Sequence, residues 1–177
     1  MLAAILVLTA QLERLSAPAN LDFEEIDSNG RPVHWFVLPE NPEDFDFDVT
    51  TTDQDPATGA RSVVIRRYPG KHDAKAAASL TQLIEAPVYR GHRVRLQAWA
   101  KRRGRTGEAI LRMRLTRRGA PPLEHRVTLT NSRTWKRYEL TVDVPADADA
   151  IEIGMRMTGE GETSLDAMSF EIVDGRE

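Results

Sequence analysis

The chain has 177 residues, 41% hydrophobic and 29% charged, with a formal net charge of −3 and no cysteine. That is single-domain length, enough for a sizeable core without an obligatory staple. The missing cysteine excludes disulfides, thiolate nucleophiles and cysteine-ligated metal centres.

In chain order, Leu2 through Ala10 is an apolar run too short to cross a bilayer, which takes about 20 residues, so no membrane span is expected. The run suits the core of a signal peptide, and Ala17-Pro18-Ala19 offers small residues for cleavage before Asn20. The competing reading of residues 1–19 is a short N-terminal helix, Leu2 to Leu15, that links or packs on a single domain over residues 20–174. Cleavage implies a secreted or periplasmic protein. Residues 39–55 read as a long acidic loop with a strand at Phe45 to Thr50, and the Ala-rich 71–79 stretch reads as a helical turn.

Period-two alternation dominates the rest. Val94, Leu96, Ala98 and Ala100 alternate with Arg93, Arg95, Gln97, Trp99 and Lys101. Ala109, Leu111, Met113 and Leu115 alternate with Arg112, Arg114 and Thr116, and Ile151, Ile153, Met155 and Met157 alternate with Glu152, Gly154 and Arg156. Further strands are expected at residues 62–68, 79–86, 123–129, 136–143 and 167–173, separated by turns such as Pro69-Gly70, Arg90-Gly91 and Asn131-Ser132. Short strands punctuated in this way predict an all-β fold, a two-sheet antiparallel β-sandwich or jelly roll.

Charge is segregated along the chain. Residues 21–55 carry eleven acidic side chains against Arg31 alone, and residues 87–118 carry eleven basic ones against Glu108 alone. Such blocks either neutralise each other on neighbouring strands or leave a basic face for an acidic polymer.

The order of fragments is informative. Asn20-Leu21-Asp22-Phe23-Glu24, Gly30-Arg31-Pro32-Val33-His34-Trp35, Gln82-Leu83-Ile84 and Tyr89-Arg90-Gly91-His92-Arg93-Val94 follow one another. Trp135-Lys136-Arg137-Tyr138-Glu139, Val144-Pro145-Ala146-Asp147, Ile151-Glu152-Ile153-Gly154 and Leu165-Asp166 to Glu171 complete the series. The whole, over residues 20–173, resembles a galactose-binding-domain-like jelly roll of the carbohydrate-binding-module type. It is also similar to accessory domains of exported bacterial serine peptidases. The resemblance implies that the first and last fragments pair as strands, that a structural calcium sits near their meeting point, and that one face or the loop tips bind sugar or protein. Glu24 and Asp166 are then the candidate calcium ligands, since calcium takes oxygen donors, about six to eight of them. The closing segment, Ser164-Leu165-Asp166-Ala167, lacks the tryptophan and second aspartate of the family's Trp-x-Asp-Asp.

For ligand contact, Arg95, Gln97 and Trp99 point outward from one strand, and Arg112, Arg114, Glu152 and Arg156 point outward from two others. If these strands share a sheet, they make a polar platform with one aromatic ring. Sugar sites use that combination, a ring face for sugar C–H groups and planar polar groups for hydroxyls. The arginines would suit an acidic glycan. Trp35 and Trp135 are expected in the core, and Gln82 as a hydrogen-bonded core amide.

No catalytic residue is assigned. His34, His72, His92 and His125 are scattered, and no Gly-x-Ser-x-Gly elbow or phosphate-binding loop occurs. Lys101-Arg102-Arg103-Gly104-Arg105 sits where a hairpin loop is expected and reads as a solvated turn, with contact to nucleic acid or an acidic glycan as the alternative. No nucleic-acid partner is expected, because neither a groove-entering helix nor stacking aromatics accompany it. The reading is a non-enzymatic carbohydrate-binding domain. A protein-docking accessory domain is the alternative, and a sugar-cleaving enzyme, whose paired acids are positioned by fold rather than by spacing, is the third.

Overall fold

Alternating apolar and polar positions become strands wherever the apolar side of one can meet that of another. The computed structural model describes residues 13–39, 46–70 and 76–174. Among them the strands are β1 (Arg14–Leu15), β2 (Phe36–Pro39), β3 (Phe47–Thr52), β4 (Ser62–Arg67), β5 (Ala77–Glu85), β6 (Arg93–Gly104), β7 (Ala109–Arg117), β8 (Ala120–Thr128), β9 (Ser132–Asp143), β10 (Ala148–Thr158) and β11 (Gly161–Ile172). A 3₁₀ turn at Pro87–Tyr89 is the one helical element among the described residues.

Two sheets form. One runs β1-β5-β10-β7-β8, with β2 also paired to β5; the other runs β3-β4-β11-β6-β9. Every strand pairing is antiparallel except β1 with β5. The all-β sandwich expected from the alternation is therefore observed, with a parallel edge at β1.

The core lies between the sheets. Leu80 and Ile84 of β5, Leu111, Met113 and Leu115 of β7, and Ile151, Ile153 and Met155 of β10 come from one sheet. Val63 and Ile65 of β4, Val94 and Leu96 of β6, and Leu165 of β11 come from the other; all are fully buried. Gln82 sits among them at 0% exposure, its Nε2 donating to Ala19 O (2.8 Å) and its Oε1 accepting from Ala19 N (3.0 Å). Both ends of a buried amide are thus satisfied, as such a group requires.

Three expectations are corrected. Residues 20–25 are not a strand: Asn20 and Phe23 have φ of 48° and 60°, and the Asn20 side chain bonds Glu25 N, Glu25 O and Val33 O, folding the segment into a loop. The loop still lies beside the last strand, since Phe23 is fully buried and Met168 N donates to Leu21 O (2.9 Å). Ala77, Ala78 and Ser79 belong to β5 rather than to a helix, because their place against β10 outweighs alanine's helical propensity; residues 71–75 lie outside the described residues. Trp135 is half-buried on the outer side of its sheet, with Nε1 donating to Asp55 O (3.0 Å) and Lys101 Nζ 4.5 Å from its ring centroid. An irregularity in the β6/β9 register between Ala100 and Arg102 breaks the alternation there. Trp35, by contrast, is 7% exposed and packs on Phe23 at 5.1 Å.

Of the N-terminal reading, Leu2 through Ala10 lies outside the described residues. Residues 13–19 do belong to the fold, through β1 and through the Ala19 contact with Gln82. Among the described residues no helix is long and apolar enough to cross a membrane.

Candidate functional site

Strand pairing divides the expected contact set between two faces. Arg95, Gln97 and Trp99 lie on β6 in the five-stranded sheet, whereas Arg112 and Arg114 on β7 and Glu152 and Arg156 on β10 lie in the six-stranded one. Each group points away from the core, so the two occupy opposite outer surfaces. Alternation fixes which side of a strand a residue faces but not which sheet receives the strand, and the β6–β7 connection passes from one sheet to the other.

On the Trp99 side, neighbouring acids engage the polar groups. Arg95 donates to Glu171 (Nη2 to Oε1, 2.6 Å), which holds its guanidinium above the usual arginine range, and Gln97 Nε2 donates to Glu139 Oε2 (2.7 Å). Trp99 itself is 39% exposed. Farther along, Lys101 is 8% exposed and its Nζ donates to Asp55 Oδ2 (2.7 Å), which holds the Asp55 carboxyl below its usual range.

The other side is built differently. Phe36, Thr81, Gly154 and Arg112 lie in one register row across β2, β5, β10 and β7. Leu83, Glu152 and Arg114 form the next row, and Leu38, Ser79, Arg156 and Ile110 the row beyond. On a face pointing away from the core, Ser79 and Thr81 are 0% exposed and Arg112 and Glu152 are 9% exposed, so the middle of this sheet is recessed. Glu152 Oε1 accepts from Thr81 Oγ1 (3.1 Å) and from Arg112 Nη2 (2.5 Å), and Arg114 Nη1 lies 3.8 Å from Oε2. Ser79 Oγ and Arg112 Nε have no partner among the described residues. Gly154 forms the floor between them. A Cβ there would lie 2.0 Å from Leu80 O, with φ at +154°, so glycine is needed and no side chain covers the Glu152–Arg112 pair from this position.

Glu152, Arg112, Arg114 and Arg156 were visible in the alternation. Ser79, Thr81, Phe36 and Gly154 were not singled out. The isolated glycine inside a strand pattern was the available signal for a close approach.

Glu24 and Asp166 lie at the first-to-last crossing and grip one loop. Glu24 Oε1 accepts from Ala60 N (2.8 Å) and Arg61 N (3.1 Å), and Asp166 Oδ2 accepts from Ala57 N (2.7 Å) and Thr58 N (3.0 Å). Asp166 Oδ1 accepts from Ala167 N (2.6 Å), beside a β-bulge in β11. Burial pushes the Asp166 carboxyl up, the charge of Glu24 adds to this, and the N–H donors oppose it. The two carboxylates offer oxygen donors of the kind calcium takes, although the oxygens Glu24 Oε1, Asp166 Oδ1 and Asp166 Oδ2 already accept from backbone N–H groups. Among the described residues no third His, Cys, Asp or Glu joins them, so further oxygens would have to come from elsewhere, such as the backbone.

These features define a jelly-roll β-sandwich with the fold of carbohydrate-binding modules. The chain is similar to the CBM22-1 xylan-binding domain of Paenibacillus barcinonensis Xyn10C, with a TM-score of 0.59 and 12% identity over 88% of this chain and 93% of that one. It is similar to TmCBM61, solved in complex with β-1,4-galactotriose, with a TM-score of 0.58 and 16% identity over 91% of this chain and 100% of the other. It is also similar to the enzymatically active domain of bacteriophage CBA120 tailspike protein 4, with a TM-score of 0.65 and 20% identity over 83% of this chain and 21% of that one. None of these three is an accessory domain of a serine peptidase. No protein-family model matches the chain. In sequence it is 30% identical over 101 residues to an uncharacterized HTH-type transcriptional regulator, YbfP, of Bacillus subtilis (strain 168). That match spans 55% of this chain and about a third, 34%, of the regulator.

Proposed function

We propose that the chain is a non-catalytic carbohydrate-binding module whose glycan lies across the outer face of the six-stranded sheet, over Gly154. The observation that carries this reading is the recessed polar cluster on that face, in which Ser79 Oγ and Arg112 Nε have no partner among the described residues. Buried polar groups are ordinarily paired, and a sugar hydroxyl, both donor and acceptor, would pair with either. Arg112, Arg114 and Glu152 supply planar groups for hydroxyl recognition, and Phe36, in register with Thr81, supplies a ring on the same face. Arg156 lies in the adjoining row. The similarity in fold to a xylan-binding domain and to a module solved with β-1,4-galactotriose supports the ligand class. A glycan array followed by Arg114→Gln tests the reading. Binding that the substitution weakens at least tenfold is expected, and an array blank for neutral and acidic glycans alike would refute it.

The exposed Trp99 ring, set among the paired side chains of Arg95 and Gln97, supports a second reading in which that face docks another protein domain. Trp99→Ala in a pull-down against the polypeptide that carries this domain separates the two.

A structural calcium held by Glu24 and Asp166 belongs to the same proposal. It is supported by the mutual repulsion of the two carboxylates and by their common grip on residues 57–61. An exported location, secreted or periplasmic, also belongs to it and is checked by cell fractionation.

A further inference from the structure

One end of the sandwich holds a cavity of about 490 Å³, in the range of small-molecule sites of about 300–1,000 Å³. It is lined by Arg102, Arg103, Gly104 and Arg105, where β6 turns toward β7, and by Asn131 and Arg133, where β8 turns into β9. Among the described residues the side chains of Arg103, Arg105 and Arg133 make no hydrogen bond or ion pair. No carboxylate is among the residues that line the cavity, so its guanidinium groups repel one another there, although the charge of Arg103 also acts on Asp55 outside it.

Arg102 supplies a second, independent observation. It is 7% exposed, and its guanidinium is held by neutral groups: Nη1 donates to Asn131 Oδ1 (2.8 Å), and Nη2 donates to Thr106 O (3.2 Å) and Gly107 O (2.9 Å). Its Nε has no hydrogen-bond partner among the described residues. Burial lowers its pKa from the usual arginine value, with the charge of Glu108 only partly opposing this. A buried charge is ordinarily paired with an opposite one, and among the described residues no carboxylate hydrogen-bonds Arg102, Glu108 acting on it only through its charge.

The arrangement is rigid. Asn131 is itself fixed, accepting from Gly104 N (3.0 Å) and donating to Gly104 O (3.2 Å). A Cβ at Gly104 would fall 2.2 Å from Arg102 Cζ, so glycine is what leaves room for the buried guanidinium. The cation is therefore held at the wall of the cavity before any ligand arrives.

We propose that this end of the sandwich is an oxyanion site that takes a sulfate or carboxylate group borne on a glycan chain. Arginine forks match the geometry of such groups, and an incoming anion supplies the directly bonded counter-charge that Arg102 lacks. A nucleic acid would present the same charge, but single-strand binders pair a basic groove with stacking rings, and among the described residues no aromatic side chain lines this cavity. The site is separate from the Gly154 recess. Only the choice of a glycan as carrier rests on the carbohydrate reading.

The test is isothermal titration with a heparin hexasaccharide (sulfate) and with a galacturonate hexamer (carboxylate), using the full chain, the double variant Arg105→Gln/Arg133→Gln, and Arg118→Gln as an exposed-arginine control. The expected result is binding of at least one anionic glycan that weakens with added salt, falls at least tenfold in the double variant and stays within twofold in the control. The double variant alters exposed side chains, so its melting curve should match that of the parent. Three outcomes would overturn the proposal: neither glycan binds, the double variant binds within twofold of the parent, or single-stranded DNA binds as tightly as the glycans. A neutral xylo-oligosaccharide run against the same proteins reads the Gly154 recess instead and should not respond to the double substitution.

Discussion

Removing the Glu152 carboxylate should be far more damaging than removing the whole ion pair. The side chains of Arg112 and Glu152 are 10% and 12% exposed, and Glu152 also accepts from Thr81. In Glu152→Ala the Arg112 guanidinium stays behind with its charge buried and unpaired. Breaking such a pair from one side costs about 3–5 kcal/mol, and in a chain of this length about 2–4 °C of Tm accompanies each kcal/mol. Together these give a fall of roughly 6–20 °C in Tm. The double variant Arg112→Met/Glu152→Leu removes both charges and fills the space with apolar atoms, so its Tm should return to within a few degrees of the parent. Glycan binding should remain lost in both. Thermal melting of the Glu152→Ala variant and the double variant, with the glycan titrated into each, reads stability and binding separately. A Glu152→Ala protein that melts within 2 °C of the parent would show that the recess is wet and the charges solvated, and the argument from unpartnered donors would fall with it.

Gly154→Ala should destabilise the fold by at least about 2 kcal/mol, since the new Cβ meets Leu80 O and the backbone lies where L side chains are strained; urea titration measures this. Calcium should raise the Tm by several degrees over a chelated sample at pH 7, and identical curves would leave the backbone N–H donors as the whole clasp. Burial and the charge of Glu24 raise the Asp166 pKa, and calcium needs the ionised carboxylate. The calcium-dependent gain should therefore fade on acidification while ordinary aspartates, near 3.8, are still ionised. Asp55 shifts the other way: Lys101 depresses its pKa, so whatever it contributes is present above the unfolded value of 3.8 and is lost as pH falls through the folded one. Asp55→Asn should weaken the Lys101 contact beside Trp135 and remove the acid-induced change in that residue's fluorescence.

The fold was legible because most strands carry their own alternation. Val94 to Ala100 and Ile151 to Met157 each mark an inner and an outer side, and the core follows from them. Sheet membership was not legible, because nothing in the local pattern of Arg95 and Trp99 or of Arg112 and Arg114 says that consecutive strands part company. Alternation also failed where the chain leaves the extended region, at Asn20 and Phe23 with positive φ, and where a register irregularity turned Trp135 outward. Half of the proposed glycan site was visible as outward polar residues. The other half, Ser79 and Thr81, looked like minor interruptions in an apolar strand, and only the pairing of β5 with β10 gave them a role.

The amide of Gln82 ties residues before Asn20 into the middle of the sandwich. A trimmed protein starting at Asn20 would keep every sheet partner of β10 and the Gln82 bond to His34 O (3.3 Å), yet would leave the buried amide oxygen without the Ala19 N–H that it accepts from. Hydrogen exchange should then quicken along β5 first, so the stretch that looked most dispensable governs how tightly the largest sheet is closed.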